Sequence, residues 1–378
     1  LYNKAYLGQT HRRTVLFLCL STRKGVKKMY SPIKLYDTTH VNATENREQW
    51  LAWRKSGIGG SESAAARGHG KFQSMLELYW DKVNPDYEIE MNNWETLLYG
   101  QIMEPYARRM FSFLTGYQVV EDHFMYQHPI YPFMIADLDG EVILPNGKRA
   151  ILECKAVNPK SVKKQFGTKA DPRIPYQYES QMRHYMCVKN VDVAYLIAIY
   201  GNTRNDVVIR KIYRDYAYEE VMIKEEAHFW KYVEERTEPP YFEDQNPDLV
   251  LQALRRQHFI NGTIDLPYDR YAADFDAYDR LQEQKKSKEE ELLLIDDGIE
   301  HLKAKFVLSL RDVNGQYYDH GVFQSGSDRV DIFYEAKESI SLPKEAQDRL
   351  LEDHPDIFSK YCVISKGNPR FSLKRREK

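Results

Sequence analysis

Residues 137–155 carry acidic and basic side chains whose spacing suits the binding of a cation. Asp139 precedes a glycine where a short apolar run turns, and Glu153 and Lys155 flank a cysteine in the apolar run 150–155. Alternate residues of a strand share one face, so Glu153 and Lys155 should point the same way. Neighbouring carboxylates repel each other unless a divalent cation neutralises them, and hard oxygen ligands suit Mg²⁺ or Mn²⁺. A lysine beside such a cation can orient a nucleophilic water or stabilise charge on a phosphate oxygen.

This pattern alone is weak, because a strand with a solvated Glu–Lys pair would look the same. Two predicted helices offer further polar groups. In the helix predicted over 93–115, Glu104 lies beside an apolar stripe and should face inward, where a bare carboxylate needs a partner. The stripe consists of Leu97, Leu98, Ile102, Tyr106, Met110 and Phe113. In the helix after Pro175, Tyr178 and Gln181 share a face with Tyr185.

Two stretches could contact phosphate. The glycine-rich turn 57–60 follows a short predicted helix that contains Arg54, and Ser61 is a plausible N-cap for the next helix. Residues 147–173 carry eight Lys or Arg against two acidic residues, Lys160, Lys163 and Lys164 among them. This run is the best local candidate for contact with a DNA backbone. An ordinary capped loop and a solvated charged loop are the simpler alternatives for the two stretches.

Composition excludes several classes of protein. The 378 residues are 42% hydrophobic, enough for one large core or two smaller ones, and no apolar run is long enough to span a bilayer. We therefore expect a soluble protein without membrane contact. The four cysteines show no paired spacing, which favours a reducing cytoplasm. A net charge of −2 means that any nucleic-acid contact must come from local patches.

The order of predicted elements indicates an α/β or α+β core, because helices, a small sheet, a helix, two strands and a helix follow one another. We expect 1–28 to be an upstream extension that is poorly ordered, since Met29 reads as a natural start. The core should span 29–245, and 250–378 should form an accessory region with long helices and a basic tail. That region keeps helical spacing on both sides of a charged middle, 282–291, so one long helix or a hairpin of two would fit. It could steer DNA, bind a partner or support oligomerisation.

Six short motifs occur in one order over roughly residues 46–236. They are Trp50-x3-Arg54-x2-Gly57-Ile58-Gly59-Gly60-Ser61-Glu62, Leu76-x2-Tyr79, Gly100-x3-Glu104-Pro105, Met134-x-Ala136-x-Leu138-Asp139-Gly140, Leu152-Glu153-Cys154-Lys155 and Tyr178-x2-Gln181-x2-His184-Tyr185-Met186. Together they resemble the YqaJ-type viral recombinase family, which includes the lambda exonuclease. The D…ExK pattern places that family in the restriction-endonuclease-like, PD-(D/E)xK superfamily of nucleases.

The resemblance implies a restriction-endonuclease-like core, with a small mixed central sheet flanked by helices. It also implies metal-dependent hydrolysis of DNA phosphodiesters. By motif position, Asp139 and Glu153 would hold Mg²⁺, for which Mn²⁺ would substitute, and Glu104 would be a further carboxylate ligand. Lys155 would be the catalytic lysine, and Gln181 would position water or metal. Two positions before the metal aspartate, where the lambda exonuclease has a serine, this chain has Asp137, which would add either a ligand or only a charge.

The resemblance further implies that Arg54 and Ser61 line a pocket for a terminal 5′-phosphate. The expected protein is a phage-type double-strand DNA exonuclease, 5′ to 3′, that works in recombination in the cytoplasm of a bacterial or phage-infected cell. Its expected partners are DNA, a single-strand annealing protein and further copies of itself. Two alternatives stay open: an endonuclease or a nuclease of other polarity on the same scaffold, and a catalytically silent DNA-binding module.

Overall fold

The computed structural model describes residues 30–39, 44–87, 94–168, 170–257, 261–325, 328–334 and 344–361. The expected extension at 1–28 and the basic tail lie outside these residues. The chain divides into two compact units after Gln257. The sequence placed the start of the accessory region at 250, whereas the helix that spans this position packs within the first unit.

The described part of the first unit alternates helices and strands. Its strands are β1 (Ile33–Asp37), β2 (Gln118–Val120), β3 (Phe124–Gln127), β4 (Ile135–Asp137), β5 (Gly140–Ile143), β6 (Arg149–Ala156), β7 (Val193–Ile199) and β8 (Val207–Tyr213). Its α-helices are α1 (Thr44–Lys55), α2 (Ser63–Ala66), α3 (Met75–Val83), α4 (Trp94–Thr115), α5 (Val162–Phe166), α6 (Tyr176–Lys189), α7 (Tyr216–Glu235) and α8 (Pro247–Arg255).

The central sheet has the strand order β2-β5-β6-β7-β8. Only the β6–β7 pair in it is parallel, and α5 and α6 form the crossover that a parallel pair requires. A second, antiparallel sheet has the order β1-β3-β4. In the central sheet Gly140 lies opposite Leu152, which places Asp139 level with Glu153 on the neighbouring strand.

The two faces of the central sheet bury different side chains, as the alternation of a strand requires. On one face, Leu152 and Cys154 of β6 pack with Phe111 of α4. On the other face, Ile151 of β6 packs with Met182 of α6. Helices therefore cover both faces of a mixed sheet, and the expected α/β fold class is confirmed.

The buried side of α4 differs from the one that the sequence predicted. Ala107 and Phe111 are the buried residues of this helix, with Met103 and Met110 packed beside them. Residues of the predicted stripe are exposed instead, namely Leu97, Leu98, Ile102, Tyr106 and Phe113. The helix is apolar on more than one side, so its sequence does not show which side meets the sheet. Small Ala107 allows the close approach to β6.

The second unit contains one long helix, α9 (Ala272–Leu308), rather than a helical hairpin. The hairpin of β9 (His320–Ser325) and β10 (Asp328–Phe333) follows, and then α10 (Lys344–Asp353) and α11 (Pro355–Tyr361). Within the described residues, every helix is too short or too polar to cross a bilayer.

Two phenylalanines of α4 test the observed orientation of this helix. Phe111 is fully buried, and Phe113 is 73% exposed. We expect Phe111→Ala to lower the free energy of unfolding by about 3 to 5 kcal/mol, because it removes a large side chain and leaves a cavity. The matched change Phe113→Ala should cost less than about 0.5 kcal/mol. Urea unfolding of both variants measures the difference, and the reverse order of effects would restore the orientation predicted from the stripe.

Candidate active site

Asp139 is held in place at the turn between β4 and β5. One of its carboxylate oxygens, Oδ2, accepts a hydrogen bond of 2.7 Å from the backbone N–H of Cys154 on β6. Its backbone carbonyl accepts a bond of 2.9 Å from the guanidinium of Arg108 on α4. The carboxylate therefore has a fixed position beside the strand that carries Glu153 and Lys155.

Glu153 is completely buried, although it is ionisable. Its Oε1 forms an ion pair with Nζ of Lys155, whereas its Oε2 is buried without a hydrogen-bond partner. Burial, followed by repulsion from Asp139, raises the pKa of Glu153 to about 8. A buried carboxylate oxygen without a partner is costly, so this position calls for a positive ligand or a proton.

Glu104 adds a third carboxylate from the side of α4. It is half-buried, and burial together with repulsion from Asp139 raises its pKa to about 7. Burial alone would lower the pKa of Lys155, but Glu153 and Asp139 outweigh it, and the pKa of this lysine is raised. Lys155 is therefore a permanent cation here rather than a base.

These carboxylates fit a hard divalent cation in chemical type and in charge. Glu153 Oε2 is an unused oxygen ligand, and burial, followed by repulsion from Asp139, raises the pKa values of Glu104 and Glu153. In the part of the chain that the structure describes, however, no three acidic, histidine or cysteine side chains already converge as a set of metal ligands. One oxygen of Asp139 is engaged with the N–H of Cys154 and one oxygen of Glu153 with Lys155, while Oε2 of Glu153 has no partner.

Helix α6 brings Tyr178, Gln181 and Tyr185 to the same region. The ring centroid of Tyr178 lies 5.4 Å from Nζ of Lys155, and Nε2 of Gln181 donates a 3.2 Å hydrogen bond to the hydroxyl of Tyr185. Tyr185 packs directly on Gly60, where an added Cβ would collide with its ring. The glycine at position 60 is therefore needed for the close approach of the 57–60 turn to α6.

Arg54 lies at the end of α1, and its guanidinium points at the two residues that follow the 57–60 turn. Its Nη2 is 2.9 Å from Oε1 of Glu62 and donates a weaker bond of 3.3 Å to the hydroxyl of Ser61. Ser61 is not an N-cap, as the sequence suggested, because the helical turn begins earlier, at Gly60. The side chain of Glu62 instead accepts from the backbone N–H of Gly59 at 2.8 Å.

Two residues to which the sequence analysis assigned no role, Glu62 and Lys82, fix Arg54. The side chain of Lys82 is fully buried, and its Nζ lies 2.8 Å from Glu62 Oε2 and donates to the carbonyl of Arg54 at 3.0 Å. Burial alone would raise the pKa of Glu62, but Lys82 and Arg54 lower it to about 2. Glu62 is therefore an anion shared by two cations, which leaves Arg54 only partly neutralised.

Asp137 lies in a setting different from that of Asp139. Its Oδ2 accepts a 2.8 Å hydrogen bond from the indole N–H of Trp50, which ties α1 to β4. Burial raises the pKa of Asp137.

Lys160 and Lys164 are exposed after the end of β6. Lys163 belongs to α5, but its side chain lies outside the described residues.

A buried ion pair behind the site was also missed. Nδ1 of His184 lies 3.0 Å and 3.1 Å from the two oxygens of Glu226, and Nε2 donates to the carbonyl of Ile135 at 2.9 Å. Ser63 donates to the same carboxylate at 2.6 Å. This network joins α2, α6 and α7 to β4. The signal that could have revealed it is a glutamate between Met222 and Phe229, on the buried side of α7.

Comparison with known proteins places the site in a recognised domain. Residues 49–192 match the profile described as the YqaJ-like viral recombinase domain. The uncharacterized protein YqaJ of Bacillus subtilis (strain 168) is 29% identical over 191 residues, which are 50% of this chain and 57% of that protein. The chain thus spans little more than half the length of this curated relative.

Solved structures give similar matches. An alkaline exonuclease (LHK-Exo) from Laribacter hongkongensis is 23% identical, with 50% of this chain and 93% of that chain covered and a TM-score of 0.41. A phage related exonuclease from Haemophilus somnus 129PT is 15% identical, with 49% and 97% covered and a TM-score of 0.37. The expected resemblance is confirmed, because residues 49–192 of this chain match the model of the YqaJ-like viral recombinase domain.

Proposed function

We propose that this chain is a Mg²⁺-dependent deoxyribonuclease that degrades duplex DNA from its ends in the 5′ to 3′ direction, with Mn²⁺ as an alternative cation. The observation that carries the proposal is the unpartnered, buried oxygen of Glu153, level with Asp139 and beside a protonated Lys155. It lies in a domain of the YqaJ-like viral recombinase type. Phage-type recombination in the cytoplasm, with a single-strand annealing protein as partner, is the matching biological setting.

Asp139, Glu153 and Glu104 would hold the cation. When bound, the cation supplies polarisation of the scissile phosphate and a lower pKa for the attacking water. Lys155 stays protonated and donates hydrogen bonds, so it orients the water or stabilises the negative charge that develops on the phosphate. Gln181, whose amide already donates to Tyr185, can position the same water. Tyr178 lies over Lys155 and restricts its movement.

Arg54 and Ser61 support the preference for DNA ends. Glu62 and Lys82 hold Arg54 in one position, and about a fifth of its side chain stays accessible. A guanidinium and a hydroxyl side by side form a receptor for a phosphate monoester, such as the one at a 5′ end. Lys160, Lys163 and Lys164 would contact the backbone further along the duplex, and Asp137 would keep Trp50 and α1 in place.

Glu153→Gln tests the role of the buried carboxylate. It removes a charge with little change in volume, and we expect Mg²⁺-dependent cleavage to fall at least about a hundredfold, while DNA binding persists. Glu141→Gln is the matched control, because Glu141 is also a buried glutamate of the central sheet but pairs with Arg149 and Lys189. Equal activity of Glu153→Gln and the wild type would contradict the assignment.

Binding of the cation can be measured without turnover. A ligand that binds only the folded protein stabilises it by about 2.7 kcal/mol at a hundred times its Kd. We expect Mg²⁺ to raise the Tm of the wild type and of Glu141→Gln, because it relieves the repulsion between Asp139 and Glu153. In Asp139→Asn the rise should be lost. Thermal unfolding with and without Mg²⁺ measures this rise in Tm. If the Tm of Asp139→Asn rose as much as that of the wild type, Asp139 would not be a ligand of the cation.

Arg54→Ala tests the pocket for the 5′-phosphate. Charge-assisted hydrogen bonds contribute about 1.5 to 3 kcal/mol, so kcat/KM on 5′-phosphorylated duplex should fall about ten- to a hundredfold. The decrease on 5′-hydroxyl ends should be much smaller. Lys164→Ala is the control for a backbone contact: it should weaken both substrates equally and lower the salt dependence of binding. An equal loss on both ends in Arg54→Ala would make Arg54 a backbone contact and favour the endonuclease alternative.

A further inference from the structure

Helix α9 has a long apolar seam that the described residues of its own unit leave exposed. Every residue from 281 to 306 is exposed in this part of the described chain. The seam is formed by Leu292, Ile295, Ile299 and Leu302, which are 43% to 59% exposed and are separated by three, four and three residues. This spacing is the a and d pattern of a coiled coil, in which each such side chain packs between residues of a second helix.

We propose that α9 pairs with α9 of a second copy of this chain, with the two helices antiparallel. When the pairing is centred on residue 297, Leu292 lies opposite Leu302 of the second copy, and Ile295 lies opposite Ile299. The seam has clear limits at both ends. Phe306, the next position, already packs edge to face on Phe323 of β9. On the other side the next two seam positions are Lys288 and Lys285, whose charges cannot be buried.

Charge selects the antiparallel arrangement. In an antiparallel pair, the residues that flank one side of the seam face the residues that flank the same side in the second copy. Glu289 therefore lies opposite Lys303, and Glu291 lies opposite Lys305. Each contact occurs twice, which gives four attractive pairs against a single repulsive one, between the two copies of Asp296. In a parallel pair, Glu291 of each copy would instead lie opposite Asp296 of the other copy. No attractive pair would offset these two repulsions.

The present partners of these side chains do not oppose the pairing. Lys303 forms an ion pair of 2.6 Å with Glu300, and Glu291 forms one of 2.8 Å with Lys288, both within α9. All four side chains are exposed, and exposed ion pairs of this kind are weak and exchange readily. The glutamates and lysines can therefore turn toward a second helix.

Sedimentation equilibrium of the full chain tests the seam. We expect a dimer for the wild type and a monomer for Ile299→Glu, which places a charge at the centre of the interface. Leu294→Glu is the matched control: Leu294 is 76% exposed and lies on the same helix away from the seam. This variant should remain dimeric. A wild type that stays monomeric at every concentration would overturn the proposal, as would an Ile299→Glu variant that remains a dimer as tight as the wild type.

Charge exchange tests the direction of the helices. Lys303→Glu with Lys305→Glu should raise the dissociation constant of the dimer about a hundredfold, because four attractive pairs become repulsive. Glu289→Lys with Glu291→Lys should do the same. A mixture of the two double variants restores all four attractions and should form a tight heterodimer. Circular dichroism checks that α9 stays helical, and a mixture no tighter than either variant alone would overturn the antiparallel pairing.

Discussion

The burial of Glu153 beside a second carboxylate, that of Asp139, is the constraint on which the proposed site depends. Asp139 cannot move away from β6, because its side chain is bonded to the N–H of Cys154 and its carbonyl to Arg108. Glu153 is fixed level with it by the strand register. Burial, followed by the proximity of Asp139, raises the pKa of Glu153 to about 8. The folded protein stores an unfavourable interaction here that a divalent cation would convert into a favourable one, as is typical of functional sites.

The surrounding elements make this arrangement possible. The sheet provides two faces, so that Cys154 packs into one layer while Glu153 reaches the other. On that second face α6 is held by the His184–Glu226 ion pair, which also fixes the carbonyl of Ile135 just before Asp137. Polar groups buried in this way are satisfied, and a satisfied buried network rigidifies its surroundings. The position of Gln181 thus depends on contacts far from the carboxylates.

Local patterns in the sequence were sufficient for the strands of the central sheet, but not for β1 and β3 of the second sheet. Glu153 and Lys155 share a face because a strand alternates with a period of two, and no long-range information is needed for that inference. The ordered motifs added Gln181 and Arg54 to the same neighbourhood, though the roles of these residues remain predictions. One long helix in the second unit was among the alternatives that helical spacing left open.

Other features depend on partners that are distant in the chain. The buried side of α4 was predicted wrongly, because a helix that is apolar on several sides can present any of them to a sheet. Lys82 could not be linked to Glu62 from sequence, nor Glu226 to His184, since each contact exists only after distant segments pack. Ser61 was given a capping role because serine favours caps, but the helical turn starts at Gly60, two residues before the predicted start, and Glu62 makes the capping contact.

Cleavage of end-labelled linear duplex and of covalently closed circular DNA by the purified chain, with Mg²⁺ and with a chelator, tests the central claim most directly. The account predicts that the linear DNA alone is degraded and that the chelator abolishes its degradation. Cleavage that persists in the chelator, or failure to cleave either DNA with Mg²⁺ present, would contradict the assignment of Asp139 and Glu153 to a metal-dependent nuclease site.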